Sequence, residues 1–151
     1  MENLLVSLTN LTCLLPLYTT IINKDYYTFM SILFVSLASV ISHLVENHKH
    51  GMPGYIVTTK LTSYYWNKLD VFGCLIIICR LSYLFYNNYR SFKFDLNMLV
   101  LISPVLLNLI SEYDKYNVHY KLMYIITHSI WHLLAFISIN DFLQNYIYLY
   151  K

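Results

Sequence analysis

YYTFMSILFVSLASVISHLV, residues 26–45, runs its whole length without an Asp, Glu, Lys or Arg. A helix of about 20 residues rises about 30 Å, the thickness of the hydrocarbon core of a bilayer. Polar punctuation bounds it, Asn23-Lys24-Asp25 before and Glu46-Asn47-His48 after. The stretch therefore reads as a membrane-spanning helix. The composition agrees: the 151 residues are 58% hydrophobic and 12% charged, about half the charged fraction of a soluble domain. A formal charge of +2 without a basic stripe excludes nucleic acid as the expected partner. The length suits one domain over residues 1–151.

Four further apolar blocks flank this one. The first runs from about Leu4 to Ile22, diluted by Asn10, threonines and Pro16. A third has its body at Leu69 to Tyr86, preceded by the aromatic belt Tyr64-Tyr65-Trp66. The fourth, about Phe92 to Ile110, is the weakest, carrying Asn97, Pro104 and Asn108. The last runs from about Val118 to Ile139. The expected fold is all-α, a polytopic transmembrane bundle of about five spans. The tail NDFLQNYIYLYK is either an interfacial helix or the stub of another span. Lys49, Lys60 and Lys115 fall on one side of the bundle and Lys24, Arg90, Lys93 and Lys151 on the other. That split is too even for the positive-inside rule to set orientation.

The opening MENLL lacks a basic segment, so no cleaved signal peptide is expected. Cys13, Cys74 and Cys79 are odd in number and lack C-x-x-C spacing, which makes them small buried hydrophobes. Asn10-Leu11-Thr12 matches a glycosylation sequon but lies inside an apolar run.

Ionisable residues in hydrocarbon are costly, about 2.5 kcal/mol or more each, and so mark function. His43, Asp70, His128 and His132 all fall within or at the edge of spans. A single such histidine is as readily a hydrogen-bonded helix contact. The pair differs, because His128 and His132 are i and i+4 and stack on one face, the spacing with which helices hold zinc. Ser39 and His43 repeat that spacing on the second span. Spans two and three are antiparallel, so His43 and Asp70 both lie toward the 46–60 loop. With one hairpin intervening, span five starts from the same side, and His128 lies roughly 15 Å in. The constellation can converge, with imidazole nitrogens expected 3–4 Å apart.

Three imidazoles with an open fourth position form the ligand set of a catalytic zinc. Zinc lowers the pKa of bound water to about 7. Asp70 is the candidate to take that water's proton or orient a ligand, and Ser39 to hydrogen-bond the water or a developing oxyanion. Serines also serve as plain helix contacts in membranes. His48 and His50, in ENHKHGMPG, read as a hydrated loop that could cap the site. Glu112 and His119 read as boundary residues, and Arg80 as a snorkelling side chain.

Ser39-x-x-x-His43, then Asp70, then His128-x-x-x-His132 with its Trp131 resembles the CREST superfamily, which includes alkaline ceramidases, progestin and adipoQ receptors, Per-type proteins and myomaker relatives. The resemblance implies His43, His128 and His132 as zinc ligands, with Asp70 and Ser39 catalytic beside a bound water. It also implies hydrolysis of a lipid amide or ester. That superfamily has seven spans. The two missing here fall between the Asp70 helix and the last pair, which preserves parity. The acidic N-terminal calcium segment of the ceramidases is absent. The expectation is a zinc-dependent membrane hydrolase with Zn2+ as cofactor and a membrane lipid as partner, in an endomembrane or host membrane. The alternative is a non-enzymatic protein of that fold with structural zinc, binding lipid or promoting fusion.

Overall fold

The computed structural model describes residues 2–47, 49–88 and 97–149. Among them every regular element is helical. Helix α1 (Glu2–Leu8) passes through a 3-10 segment, Thr9–Cys13, into α2 (Leu14–Ile22). Pro16 has no N–H for the carbonyl four residues back. The Thr9 and Thr12 hydroxyls donate to the carbonyls of Val6 and Thr9, at 2.6 and 2.5 Å. Both effects favour the tighter winding. Asp25 starts α3 (Tyr26–Val45), accepting from the Thr28 amide and hydroxyl at 3.1 and 2.7 Å, an N-cap. Helix α4 (Lys60–Asn88) is longer than its apolar body and takes in Tyr64, Tyr65 and Trp66. The Thr59 hydroxyl caps it, accepting from the Thr62 amide at 3.2 Å.

The two central helices cross closely. An ideal Cβ on Gly73 would meet Val35 Cα at 2.9 Å, so only glycine lets α3 and α4 approach this far. The antiparallel register carries Arg80 to Asp25, with Nη2 at 2.8 Å from Oδ1 and Nε donating to Thr28 Oγ1 at 2.8 Å. Arg80 therefore does not simply snorkel: it ties α4 to the start of α3. Burial alone would raise the Asp25 carboxyl, but hydrogen bonds from Thr28 and Tyr148 and the Arg80 charge bring it below its ordinary value.

The fourth expected span is only partly described. Residues 92–96 lie outside the described set, and α5 (Asn97–Ser111) has 15 residues, roughly 22 Å of helix. Helix α6 (Lys121–Phe142) follows a 3-10 turn, Val118–Tyr120, and continues as a π-helical segment, Leu143–Tyr148. The described part of the tail thus continues α6 as one helical stretch and does not start a separate span. Phe142, Leu143 and Ile147 are buried beside Leu17 and Leu84, and that burial keeps the chain helical past residue 139.

Among the described residues, four helical stretches are long and apolar enough to cross a membrane: Glu2–Ile22, Tyr26–Val45, Lys60–Asn88 and Val118–Tyr148. Their polarity is turned inward. Thr28, Ser36, Ser42, His43 and Asn10 are buried, while Tyr27, Met30, Phe72, Leu75 and Ile126 are at least half exposed. Cys13 is buried as expected, but Cys79 is exposed on α4, and all three thiols are free.

The 46–60 connection departs most from the sequence reading. His48 lies outside the described residues, whereas Lys49 and His50 are buried, not hydrated. His50 adopts φ +49°, and its Nδ1 lies 2.9 Å from the Asn117 carbonyl. Its amide donates to the Lys115 carbonyl, and its ring packs 4.9 Å from that of Tyr124. The loop folds inward because the α5–α6 turn supplies partners for its polar groups, which no local signal announces.

Candidate metal centre and its cavity

His43 lies in the last turn of α3 and Ser39 one turn before it. On α6, Tyr124, His128, His132 and Phe136 form a buried stripe at four-residue spacing. Where α3 meets this stripe the three imidazoles gather. Their ring centroids are 4.9, 5.0 and 4.8 Å apart, nearly an equilateral triangle. One nitrogen from each lies within 4.8 Å of the others. His43 Nε2 and His128 Nε2 are 3.3 Å apart. Two tetrahedral bonds of roughly 2.0–2.1 Å to one ion would set nitrogens roughly 3.3–3.4 Å apart. The third position is looser than the sequence reading anticipated. The three buried histidines are nevertheless close enough to hold a metal ion.

The far side of each ring fixes which nitrogen faces the centre. Ser111 Oγ donates to the Asn108 carbonyl at 2.8 Å, so at 3.0 Å it accepts from His128 Nδ1–H. That leaves the His128 Nε2 lone pair toward His43. His132 Nδ1 is 3.2 Å from the Val6 carbonyl and 2.8 Å from Thr9 Oγ1. The Thr9 hydroxyl already donates to Val6, so His132 Nδ1 carries the proton and its Nε2 is also free to ligate. Trp131 covers the pair, its ring 4.7 Å from each imidazole. Ser111, Val6 and Thr9 were not anticipated from the sequence. Short hydroxyl and carbonyl partners leave no spacing signature.

Ser39 and Asp70 join the same site. Ser39 Oγ is 3.4 Å from His132 Nε2. Asp70 is buried, and its Oδ1 has no hydrogen-bond partner among the described residues. Both open onto a cavity of about 540 Å³ that His132 also lines. This volume is in the range of small-molecule sites. From its polar end the cavity runs between α4 and α5 along Ile77, Leu81 and Phe85, with Val105 opposite and Ala135 on α6. Asp70 to Phe85 spans roughly 22 Å of helix, so the cavity is a long, mostly apolar slot with Ser39, Asp70 and His132 at one end and the hydroxyls of Ser82 and Ser138 farther along.

A charged cluster lies behind His43. Glu46, at the end of α3, has Oε2 3.6 Å from His43 Nδ1 and Oε1 3.3 Å from Lys49 Nζ. The Tyr124 hydroxyl donates to Oε2 at 3.2 Å, and Lys49 donates to Glu112 at 2.8 Å. Burial would raise the Glu46 carboxyl, but the His43 ring and the Lys49 ammonium outweigh it and bring it down to about 2. Burial would likewise lower Lys49, and the Glu46 and Glu112 carboxylates hold it above its ordinary value. Glu112 is therefore not merely a boundary residue, although His119 is a capped turn residue, its amide 3.0 Å from Asn117 Oδ1.

No family profile matches the chain, and no solved structure matches it. An uncharacterized protein of Acanthamoeba polyphaga mimivirus is 45% identical over 153 residues, covering 98% of this chain and all of that protein. At that identity over both full lengths, the chain belongs to the same family as this mimivirus protein.

Proposed function

We propose that the protein is a polytopic membrane protein in which His43, His128 and His132 hold zinc, and that it hydrolyses an amide or ester bond of a membrane lipid, as the CREST resemblance suggests. Its inverted polarity, with serines, asparagines and histidines inside and large apolar side chains outside, suits helices solvated by acyl chains. An endomembrane or host membrane is the corresponding location. One observation carries the hydrolase reading: Ser39, His132 of the three-histidine cluster and an unpaired Asp70 oxygen line the same end of a long, mostly apolar slot.

Zinc bound there would supply Lewis acidity toward a carbonyl and a nucleophile at neutral pH. The slot takes the acyl chain and brings the scissile carbonyl to its polar end. The Ser39 hydroxyl donates to the carbonyl oxygen as it gains charge. Asp70 accepts a proton from water as the water oxygen bonds to the carbonyl carbon. It returns that proton to the departing amine or alcohol as the C–N or C–O bond breaks. Trp131 keeps bulk water off the ligands. A structural staple is the second reading, favoured by the way the three rings and their partners draw on α1, α3, α5 and α6.

Purified full-length protein in detergent should carry about one equivalent of zinc, lost in His128→Ala. It should release fatty acid from ceramide-like or ester lipids, and Asp70→Asn should stop release while zinc remains. Zinc without turnover across a broad lipid panel would leave the staple reading; protein without zinc would end both.

A further inference from the structure

The three imidazoles are not held alike. His128 and His132 each give their Nδ1 proton to an uncharged oxygen, whereas His43 Nδ1 faces only a carboxylate, Glu46 Oε2 at 3.6 Å. His43 Nδ1 has no hydrogen bond among the described residues. Were its proton on Nε2, bonded to His128, the bare Nδ1 lone pair would face a buried anion, which is repulsive. With the proton on Nδ1, the His43 and His128 Nε2 lone pairs confront each other at 3.3 Å and require a cation between them. Glu46 is 2% exposed, and burying a carboxylate carries a large desolvation cost. Ending a helix needs no such charge. The surroundings nonetheless hold this one in place: Tyr124 donates to Oε2, Lys49 stands at Oε1, and Asn3 Nδ2 donates to the Glu46 carbonyl at 2.8 Å.

We infer that Glu46 is the positioning residue of the metal centre, its carboxylate facing the Nδ1–H of His43 as acceptor so that the proton stays on Nδ1 and Nε2 points at the ion, with Tyr124 and Lys49 fixing the carboxylate. This rests on the metal-binding reading above. Outer-shell carboxylates of this kind raise ligand basicity, and losing one weakens metal binding about 10–100-fold. Lys49 offsets part of the added negative charge and carries the linkage on to Glu112.

The test is metal titration of the full chain in detergent micelles, following cobalt by its visible d–d bands and zinc by chelator competition. Glu46→Gln should keep the helical circular dichroism and weaken both metals about 10–100-fold. Tyr124→Phe, which leaves the carboxylate but loosens it, should give a smaller loss. A purely structural Glu46 would lower the thermal midpoint with and without metal while leaving affinity unchanged. Folded Glu46→Gln with wild-type affinity therefore overturns the inference and spares the metal centre. If Glu46→Gln does not fold, Glu46→Gln with Lys49→Met removes both buried charges and should fold with the same weakened binding. Failure of that double variant to fold, or full affinity in it, also overturns the inference. No cobalt or zinc bound by the wild-type chain removes the metal centre itself.

Discussion

Gly73→Ala tests the contact on which the site's geometry depends. The added methyl would lie 2.9 Å from Val35 Cα and 3.1 Å from its Cβ and Cγ2. Carbon atoms rest about 3.5–4.0 Å apart, so α3 and α4 must separate by roughly 0.5–1 Å. The nearest atom is backbone and cannot rotate away. Overpacking of this kind costs about 1–3 kcal/mol, here toward the upper end. Alanine offsets about 1 kcal/mol through helix propensity. The net loss is about 1–2 kcal/mol, or roughly 3–6 °C in Tm for a chain of this size. Ser39 lies one turn from Val35, and Asp70 one turn from Gly73, so the same separation moves both. A displacement near 1 Å costs about 100-fold in rate where groups must be aligned. Thermal unfolding in micelles followed by circular dichroism measures the first effect, and lipid turnover the second. A variant as stable as wild type would show that the helices do not meet at this point, and the reasoning would fail.

Other perturbations reach other parts of the molecule. Arg80→Met should destabilise by about 1.5–3 kcal/mol through loss of charged hydrogen bonds to Asp25 and Thr28. Adding Asp25→Asn should recover part of that loss, and strictly additive effects in denaturant unfolding would contradict the pairing. Glu46 has a folded pKa near 2 against an ordinary 4.5, so the unfolded chain takes up its proton first. Its contribution, on the order of 3 kcal/mol, is complete above about pH 4.5 and lost as the pH falls through about 2. Comparing unfolding at pH 6 and pH 3 should show about 2 kcal/mol of this loss in wild type and none of it in Glu46→Gln. Ser82→Phe narrows the slot roughly 18 Å along α4 from Asp70 and should suppress turnover of long-chain lipids more than short-chain ones. Equal loss for both would mean that the chain lies elsewhere.

Much of the helical framework was legible in the sequence. Uninterrupted apolar blocks of bilayer length leave a chain few alternatives to helices, and the four-residue spacings of Ser39–His43 and His128–His132 set each pair on one face. Parity then brought His43 and Asp70 to the end of the bundle where α6 enters. Tertiary structure decided everything that depends on which face meets which. The Gly73–Val35 crossing sets how near Asp70 comes to Ser39. Partners on α1 and α5 choose the proton-bearing nitrogen of two rings. A loop that looked hydrated buries Lys49 and His50, because the α5–α6 turn receives their polar groups. Glu46 read as mere punctuation after an apolar run, and only the approach of Tyr124, more than seventy residues later in the chain, places a second helix against its carboxylate. Periodicity reports what one helix presents. It carries no record of the distances between side chains on different helices, and those distances make the site.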